Sequence, residues 1–378
     1  MRIAIVHDWL DTWGGAELAL AGLLELYPDA DLHALVDFMP PSDRTRLGSR
    51  TVRTSFIQNL PFARTSFRRY LPLFPRAIEK MDVSDYDLVI SSSHAVAKGV
   101  RTSPEQLHIC YCYTPMRYAW DLQESYLQQA GLDRGVAGWF VRRSLAHLRR
   151  WDAKSASRVN HFVAISAHIA DRIQRSYGRD STVIYPPVDI GAFDADAPRS
   201  QVYVTVSRLV PYKRIDLIVA AFRDLPGHQL IVIGDGPERA RIAALAGPNV
   251  RLLGRATDAE RDRWLATARA FIFAADEDFG IAPVEAQACG MPVIAYARGG
   301  ALETVRGLED GAPTGVLFPE QTAEAITTAV RRFEAKAPRI TALACRENAL
   351  RFSAERFRAE FGAYVHARVD EFAAPAAA

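Results

Sequence analysis

Residues 274–290 read AADEDFGIAPVEAQACG, and their reading decides the fold. Just before them the run 270–275 (AFIFAA) is short, apolar and unalternating, the pattern of a strand buried on both faces. Pro283 suits the first position of a helix, with Gly290 as its stop and Pro292 just beyond. A parallel strand therefore delivers the chain into a tight loop from which a short helix opens. Glu277 falls on that loop and Glu285, eight positions on, in the expected first helical turn.

In open α/β sheets, ligands bind outside the carboxyl ends of the strands. A helix start there adds unpaired N–H groups and a positive dipole end, which suit an anion. Ionised carboxylates accept hydrogen bonds only, so Glu277 and Glu285 suit hydroxyl groups. A sugar nucleotide carries both phosphates and hydroxyls. The same residues also fit a plainer reading, in which Glu285 stabilises the helix start and Glu277 is solvated.

The rest of the chain extends the pattern. Strand-like runs at 2–6, 31–36, 88–91, 107–111 and 161–164 alternate with helical ones, and a second set lies at 202–206, 229–233, 250–253, 270–274 and 292–296. Such alternation predicts doubly wound parallel sheets. Between the sets, VIYPPVDIGAFDADAPRSQ (183–201) has three prolines and little apolar periodicity, as a linker should. The expected division is a first domain over 1–185, a linker over 186–201 and a second domain over 202–350. A C-terminal helix and frayed Ala/Pro tail follow over 351–378.

Composition excludes several classes. Of the 378 residues, 49% are hydrophobic and 24% charged, as in a globular protein. A net charge of +2 argues against a bulk nucleic-acid binder, and no apolar run reaches a membrane span. Met1-Arg2 leads directly into a strand, so no leader peptide is expected. Cys110, Cys112, Cys289 and Cys345 lack metal-site spacing and read as buried thiols in a reduced, cytoplasmic chain.

Further candidates fall at strand ends. Gly14 and Gly15 open a helix after the first strand, where backbone can approach a ligand. His94 follows another strand in DLVISSSHAVAKGV (87–100), placed to hydrogen-bond a hydroxyl. Tyr111, Tyr113, Tyr118 and Trp120 in YCYTPMRYAWD (111–121) suit either sugar rings or core packing. Arg208 and Lys213 lie close together on the loop of TVSRLVPYKRIDLIVAAF (205–222), where fixed cations can stabilise a departing diphosphate. Gly234 and Gly236 mark a turn in VIGDGPERARI (232–242), too weak for a dinucleotide fingerprint because Arg255 stands where an acidic residue belongs. Two basic stretches, 64–80 and 139–158, interleave Arg with apolar and aromatic residues. They suit an anionic membrane surface, or helix faces packed on a sheet. Neither carries a nucleic-acid-binding motif.

Residues 277–285 resemble the E-x7-E signature of retaining family 4 glycosyltransferases, and AQACGMPVIAYARGGALETV (286–305) resembles the continuation. The likeness spans nearly the whole chain. MRIAIVHDWL (1–10), the region of His94 and residues 111–121 resemble a subset that adds mannose or rhamnose in bacterial O-antigen and exopolysaccharide assembly. Many members have Gly after the first Glu, where this chain has Asp278.

The resemblance implies a GT-B fold, two Rossmann-like domains facing across a cleft, with the C-terminal helix returning to the first. It implies a metal-independent, retaining hexosyltransferase. Arg208 and Lys213 would neutralise the diphosphate, with backbone near Phe279, Gly280 and Ile281. Glu277 and His94 would hold the donor sugar, Glu285 the ribose, and Gly15 would lie near the phosphates, with Gly14, Gly234 and Gly236 completing the donor site. The implied donor is GDP-mannose, used as substrate with no cofactor. The implied acceptor is a polyprenyl-diphosphate-linked glycan at the inner face of the cell membrane. The alternatives are a GDP-rhamnose or UDP-sugar transferase, a sugar-nucleotide epimerase or hydrolase, and a membrane-associated sugar-nucleotide-binding scaffold.

Overall fold

The computed structural model describes residues 1–48, 50–117, 119–120, 135–191 and 198–374, with the side chains of 135–137, 139 and 140 outside the description. Tyr118, Asp121 and the side chains of Trp139 and Phe140 therefore lie outside the described residues, as do the last four residues of the Ala/Pro tail.

The chain divides into two compact units, Met1–Pro187 with Phe357–Ala378, and Val188–Arg356. Among the described residues the first unit carries a seven-stranded parallel sheet: β1 (Ile3–His7), β2 (Asp31–Ala34), β3 (Val52–Thr54), β4 (Leu88–Ser93), β5 (Leu107–Cys112), β6 (His161–Ala164) and β7 (Ser181–Val183). Their order is β3-β2-β1-β4-β5-β6-β7. The second unit has β8 (Val202–Val206), β9 (Gln229–Ile233), β10 (Val250–Gly254), β11 (Phe271–Phe273), β12 (Val293–Tyr296) and β13 (Gly315–Phe318), ordered β10-β9-β8-β11-β12-β13. Each unit thus has the doubly wound, Rossmann-like α/β sheet expected from the sequence.

Strands β4 and β5 are buried along their whole length, as central strands of a parallel sheet covered on both faces are. Periodicity missed β3, β7 and β13. Each is an edge strand of three or four residues, and β3 and β7 are partly exposed, so the pattern had too few buried positions to register. The helix expected to start at Pro283 runs Ile281–Ala288, behind Gly280 at φ 84°. Glu285 is therefore its fifth residue rather than part of its first turn. Residues 188–191, read as linker, belong to the second unit, where Val188 N–H donates to Phe352 O at 2.8 Å. A separate helix, Ala342–Leu350, precedes the expected C-terminal helix, which runs Ala354–Ala373. In the latter, Phe357 and Phe361 pack against Tyr111 in the first unit.

Tyr111 is thus a core residue, with its hydroxyl on Ile184 O. Tyr113 is buried too, and its hydroxyl donates to Ala16 O at 2.9 Å. Trp120 donates from Nε1 to Asp152 Oδ2 at 2.8 Å. Of the four aromatic residues open to either sugar rings or core packing, these three have structural partners.

Asp152, on the helix Gly135–Ala156, is fully buried. It forms an ion pair with buried Lys98 and accepts the Tyr177 hydroxyl at 2.7 Å. Lys98 Nζ also donates to Ala95 O at 3.1 Å, so the pair fixes the turn that follows β4. Burial alone would lower the Lys98 pKa, but Asp152 beside it raises it on balance. Removing one partner strands the other charge in the core. Lys98→Met should therefore cost about 3–5 kcal/mol in urea denaturation, whereas a loss below about 1 kcal/mol would show that Asp152 is satisfied without it.

Candidate functional site

Each sheet has one point where neighbouring strands lead their chains in opposite directions, and there the loops at the carboxyl ends leave a crevice. In the second unit it lies between β8 and β11. Lys213 comes from the loop after β8 and Glu277 from the loop after β11, and the two side chains form an ion pair across the crevice. Both are largely but not fully buried. Arg208, exposed on the same β8 loop, donates from Nη2 to the Tyr212 hydroxyl at 2.9 Å. The structure thus brings Lys213 and Glu277 together.

Close backbone approach positions these loops. Ser207 N–H donates to Ile233 O and Leu209 N–H to Asp235 O, laying the Arg208 loop on the turn after β9. A Cβ on Gly234 would fall 1.8 Å from Ser207 O, and one on Gly236 would fall 2.4 Å from Leu209 O. Both glycines are needed for that packing, a reason that does not depend on a ligand. The Glu277 loop rests likewise on the turn after β12, where Gly300 N–H donates to Glu277 O at 2.8 Å. A Cβ on Gly299 would meet Glu277 O at 2.2 Å, and one on Gly300 would meet Phe279 O at 2.3 Å. Sequence reasoning quoted this Gly-Gly pair without assigning it a role; its signal was the doubled glycine just past a strand end. It also missed Gln321, which donates to Ala274 O at 2.8 Å and accepts from Arg214 at 3.3 Å.

Phe279 is buried edge-on against Phe352, leaving backbone rather than its ring to face a ligand. Gly280 supplies the left-handed residue ahead of Ile281 and the helix. Asp278 does not use positive φ, so its place beside the signature glutamate needs no glycine. Glu285 lies among a different set of charges, with Arg261 opposing and Asp262, Asp258 and Asp189 adding to the effect of burial. Burial is the largest cause that raises its pKa above the ordinary carboxylate value. Such a carboxyl gains most when a ligand hydroxyl replaces lost water.

In the first unit the corresponding point lies between β1 and β4. Asp8, just after β1, is fully buried and accepts four backbone N–H groups from the loop after β4. Those of His94 and Ala95 reach Oδ2 at 2.6 and 2.9 Å, and those of Val96 and Ala97 reach Oδ1 at 2.6 and 2.7 Å. Burial would raise the Asp8 pKa, yet the His94 and His7 rings and these N–H donors hold it below the ordinary value. His94 is a quarter exposed, with Nδ1 3.1 Å from Asp8 Oδ2 and its ring perpendicular to Trp9 at 4.5 Å. Gly14 and Gly15 are exposed at the start of the helix Gly15–Leu26. Glu17 in its first turn lies 3.6 Å from His7 Nε2, and His7 Nδ1 hydrogen-bonds Ser92 at 2.9 Å. Glu17 already offsets the positive helix end, so Gly14 and Gly15 gain no support here as a phosphate site. Sequence reasoning missed Asp8, although it stands in the quoted VHDW run.

No cluster of metal-ligating residues occurs among the described residues, and all four cysteines are buried and unbridged.

Residues 194–352 match the family described as Glycosyl transferases group 1, and residues 13–191 match Glycosyltransferase Family 4. The chain belongs to the family 4 glycosyltransferases. The GDP-mannose-dependent monoacylated alpha-(1-6)-phosphatidylinositol monomannoside mannosyltransferase of Corynebacterium glutamicum is 30% identical over 216 residues, covering 47% of this chain and 56% of that one. The D-inositol 3-phosphate glycosyltransferase of Mycobacterium marinum is 32% identical over 197 residues, covering 46% and 42%. The chain thus spans about half the length of the curated relatives it matches. Among solved structures, Anabaena HepE in complex with UDP superposes with a TM-score of 0.71 at 19% identity, covering 97% of this chain and all of that one. Sucrose-phosphate synthase from Thermosynechococcus elongatus gives 0.74 at 19%, covering 98% and 100%. At such identity the two structures speak to the fold of this family 4 member.

Proposed function

We propose that the protein is a retaining hexosyltransferase that moves mannose from GDP-mannose onto a polyprenyl-diphosphate-linked glycan. The observation that carries this reading is the Lys213–Glu277 pair at the crevice of the second unit. A diphosphate needs a fixed cation, and the neighbouring sugar needs an acceptor of hydroxyl hydrogen bonds; the pair offers both side by side. Arg208 adds a second cation, and N–H groups near Phe279, Gly280 and Ile281 extend the anion site. Glu285 takes the ribose hydroxyls. His94 in the first unit takes a sugar hydroxyl. Lysine and arginine supply the positive charge that a divalent metal would otherwise bring, so the reaction proceeds without one. The mannose donor is supported by the name of the Corynebacterium relative, which is GDP-mannose-dependent.

The test is transfer from GDP-mannose to a polyprenyl-diphosphate glycan in excess EDTA. An α-linked product is expected, with turnover falling by about a hundredfold or more in Lys213→Ala and Arg208→Ala, as for loss of an oxyanion-type donor. Activity that requires added manganese, or undiminished activity in both variants, would contradict the assignment.

A lipid-linked acceptor requires a docking surface, and no helix among the described residues is long and apolar enough to cross a membrane. Residues 44–80 carry nine Lys or Arg and a single carboxylate, Glu79. Phe67 and Phe74, the phenylalanines of the 64–80 stretch, are buried in the core of the first unit, in line with the packed reading. The apolar contribution comes instead from Phe62, 84% exposed at a left-handed turn, and from Phe56 and Leu73, beside exposed Arg64, Arg69, Arg76 and Lys80. The second stretch is weaker: Leu145 and Leu148 are buried, Trp151 donates to Glu79 at 2.9 Å, and Arg149 stacks over Trp120 at 4.2 Å. Docking on anionic lipid should therefore depend on the first stretch. The protein is expected to sediment with anionic but not neutral vesicles and to be released by salt. Phe62→Ser with Arg64→Gln and Arg69→Gln should weaken that binding, and equal binding to neutral vesicles would contradict electrostatic docking.

A further inference from the structure

The contact between Asp8 and His94 has an unusual geometry. A carboxylate offers about four in-plane acceptor positions, and the amides of His94, Ala95, Val96 and Ala97 use four on Asp8. His94 Nδ1 nevertheless lies buried 3.1 Å from Oδ2, off the line of a regular hydrogen bond. An unprotonated Nδ1 would set its lone pair against a carboxylate oxygen with no water to intervene. A proton on Nδ1 turns the same contact into an attraction. The ring as a whole is held neutral: burial lowers its pKa and outweighs the upward pull of Asp8, Glu17 and Asp11, while His7 acts with burial. Nε2 is not among the buried unpartnered atoms and has no hydrogen-bond partner among the described residues, so it is the nitrogen at the exposed part of the ring.

We propose that Asp8 is a positioning residue that places the single proton of His94 on Nδ1, so that Nε2 presents a bare lone pair to a sugar hydroxyl. This inference rests on the transferase reading for the identity of the ligand but not for the position of the proton. It assigns the His94 subsite to a neutral O–H donor. A phosphate oxygen, itself an acceptor, would face an unpaired lone pair there and be disfavoured. Free histidine in water favours the opposite tautomer, so the placement is the work of the protein; the hydrogen bond at one ring nitrogen sets the role of the other. The four amides on Asp8 do a second job, since they hold the loop that carries the ring.

The test is a long-range proton–nitrogen correlation spectrum of protein labelled with nitrogen-15 histidine near neutral pH, with the His94 signals assigned by their loss in His94→Gln. The neutral Nδ1–H form is expected. A dominant Nε2–H form, or an imidazolium at neutral pH, would overturn the proposal whatever the protein transfers. If the Nδ1–H form is found in a protein that transfers no sugar, the placement of the proton stands and the transferase reading fails. Where Asp8→Asn folds, its His94 should shift toward the Nε2–H form and kcat/KM should fall by about 10–100-fold, as when partners that orient a functional ring are lost. In a His94→Ala background the same change should alter kcat/KM by less than about twofold. An equal loss in both backgrounds would make Asp8 a loop support alone and overturn its positioning role. If Asp8→Asn fails to fold, the wild-type spectrum decides.

Discussion

The feature on which both candidate sites depend is the reversal of strand order in each parallel sheet. Between β8 and β11, and between β1 and β4, no crossover covers the carboxyl ends, so polar side chains there can reach one another without a helix in the way. Each crevice is spanned by one acidic and one nitrogenous side chain, Glu277 with Lys213 in the second unit and Asp8 with His94 in the first. The pairs differ in what surrounds the carboxylate. Asp8 is saturated by backbone N–H groups and cannot leave its loop. Glu277 is held by the backbone, through its carbonyl on Gly300 N–H, while its side chain keeps a cation that a ligand can claim. One pair is fixed, and the other is the one we propose to be exchangeable.

Under the proposed function, that difference would let the second crevice serve a ligand with two characters. Lys213 paired to Glu277 is partly neutralised, which limits nonspecific capture of anions. On the proposed reading a diphosphate would draw the lysine toward itself, and the freed carboxylate oxygen would take a new donor from a sugar hydroxyl. A nucleoside diphosphate alone releases the carboxylate without satisfying it. On the proposed reading the site favours a diphosphate that carries a sugar.

Much of this was legible in the sequence. The strands that bury both faces, the E-x7-E spacing and the Arg208 and Lys213 loop all announce themselves locally, and the two sheets follow from alternation. What the sequence withheld are contacts made between segments far apart in the chain. Asp8 reads as an ordinary loop residue until β4 is laid beside β1, because its four partners lie more than eighty positions away. Gly299 and Gly300 read as a turn until their lack of Cβ is seen to admit the Glu277 loop. Tyr111 and Tyr113 have the composition of a sugar platform and were open to either reading; only burial decides for the core. The edge strands β3, β7 and β13 fail for a different reason, having too few residues to establish a period.

The central claim is that Lys213 and Glu277 form one exchangeable donor site, and calorimetric binding of GDP and of GDP-mannose to wild type and Glu277→Gln addresses it directly. Removing the carboxylate charge frees Lys213 and takes away a repulsion from the diphosphate, so the variant should bind GDP as tightly as wild type or more tightly. It should also lose about tenfold or more of the preference for GDP-mannose over GDP, since hydrogen bonds to a charged group are worth about 1.5–3 kcal/mol. Equal weakening of both ligands in the variant would contradict the account, because it would make Glu277 a general support of the loop rather than the sugar-facing half of the pair.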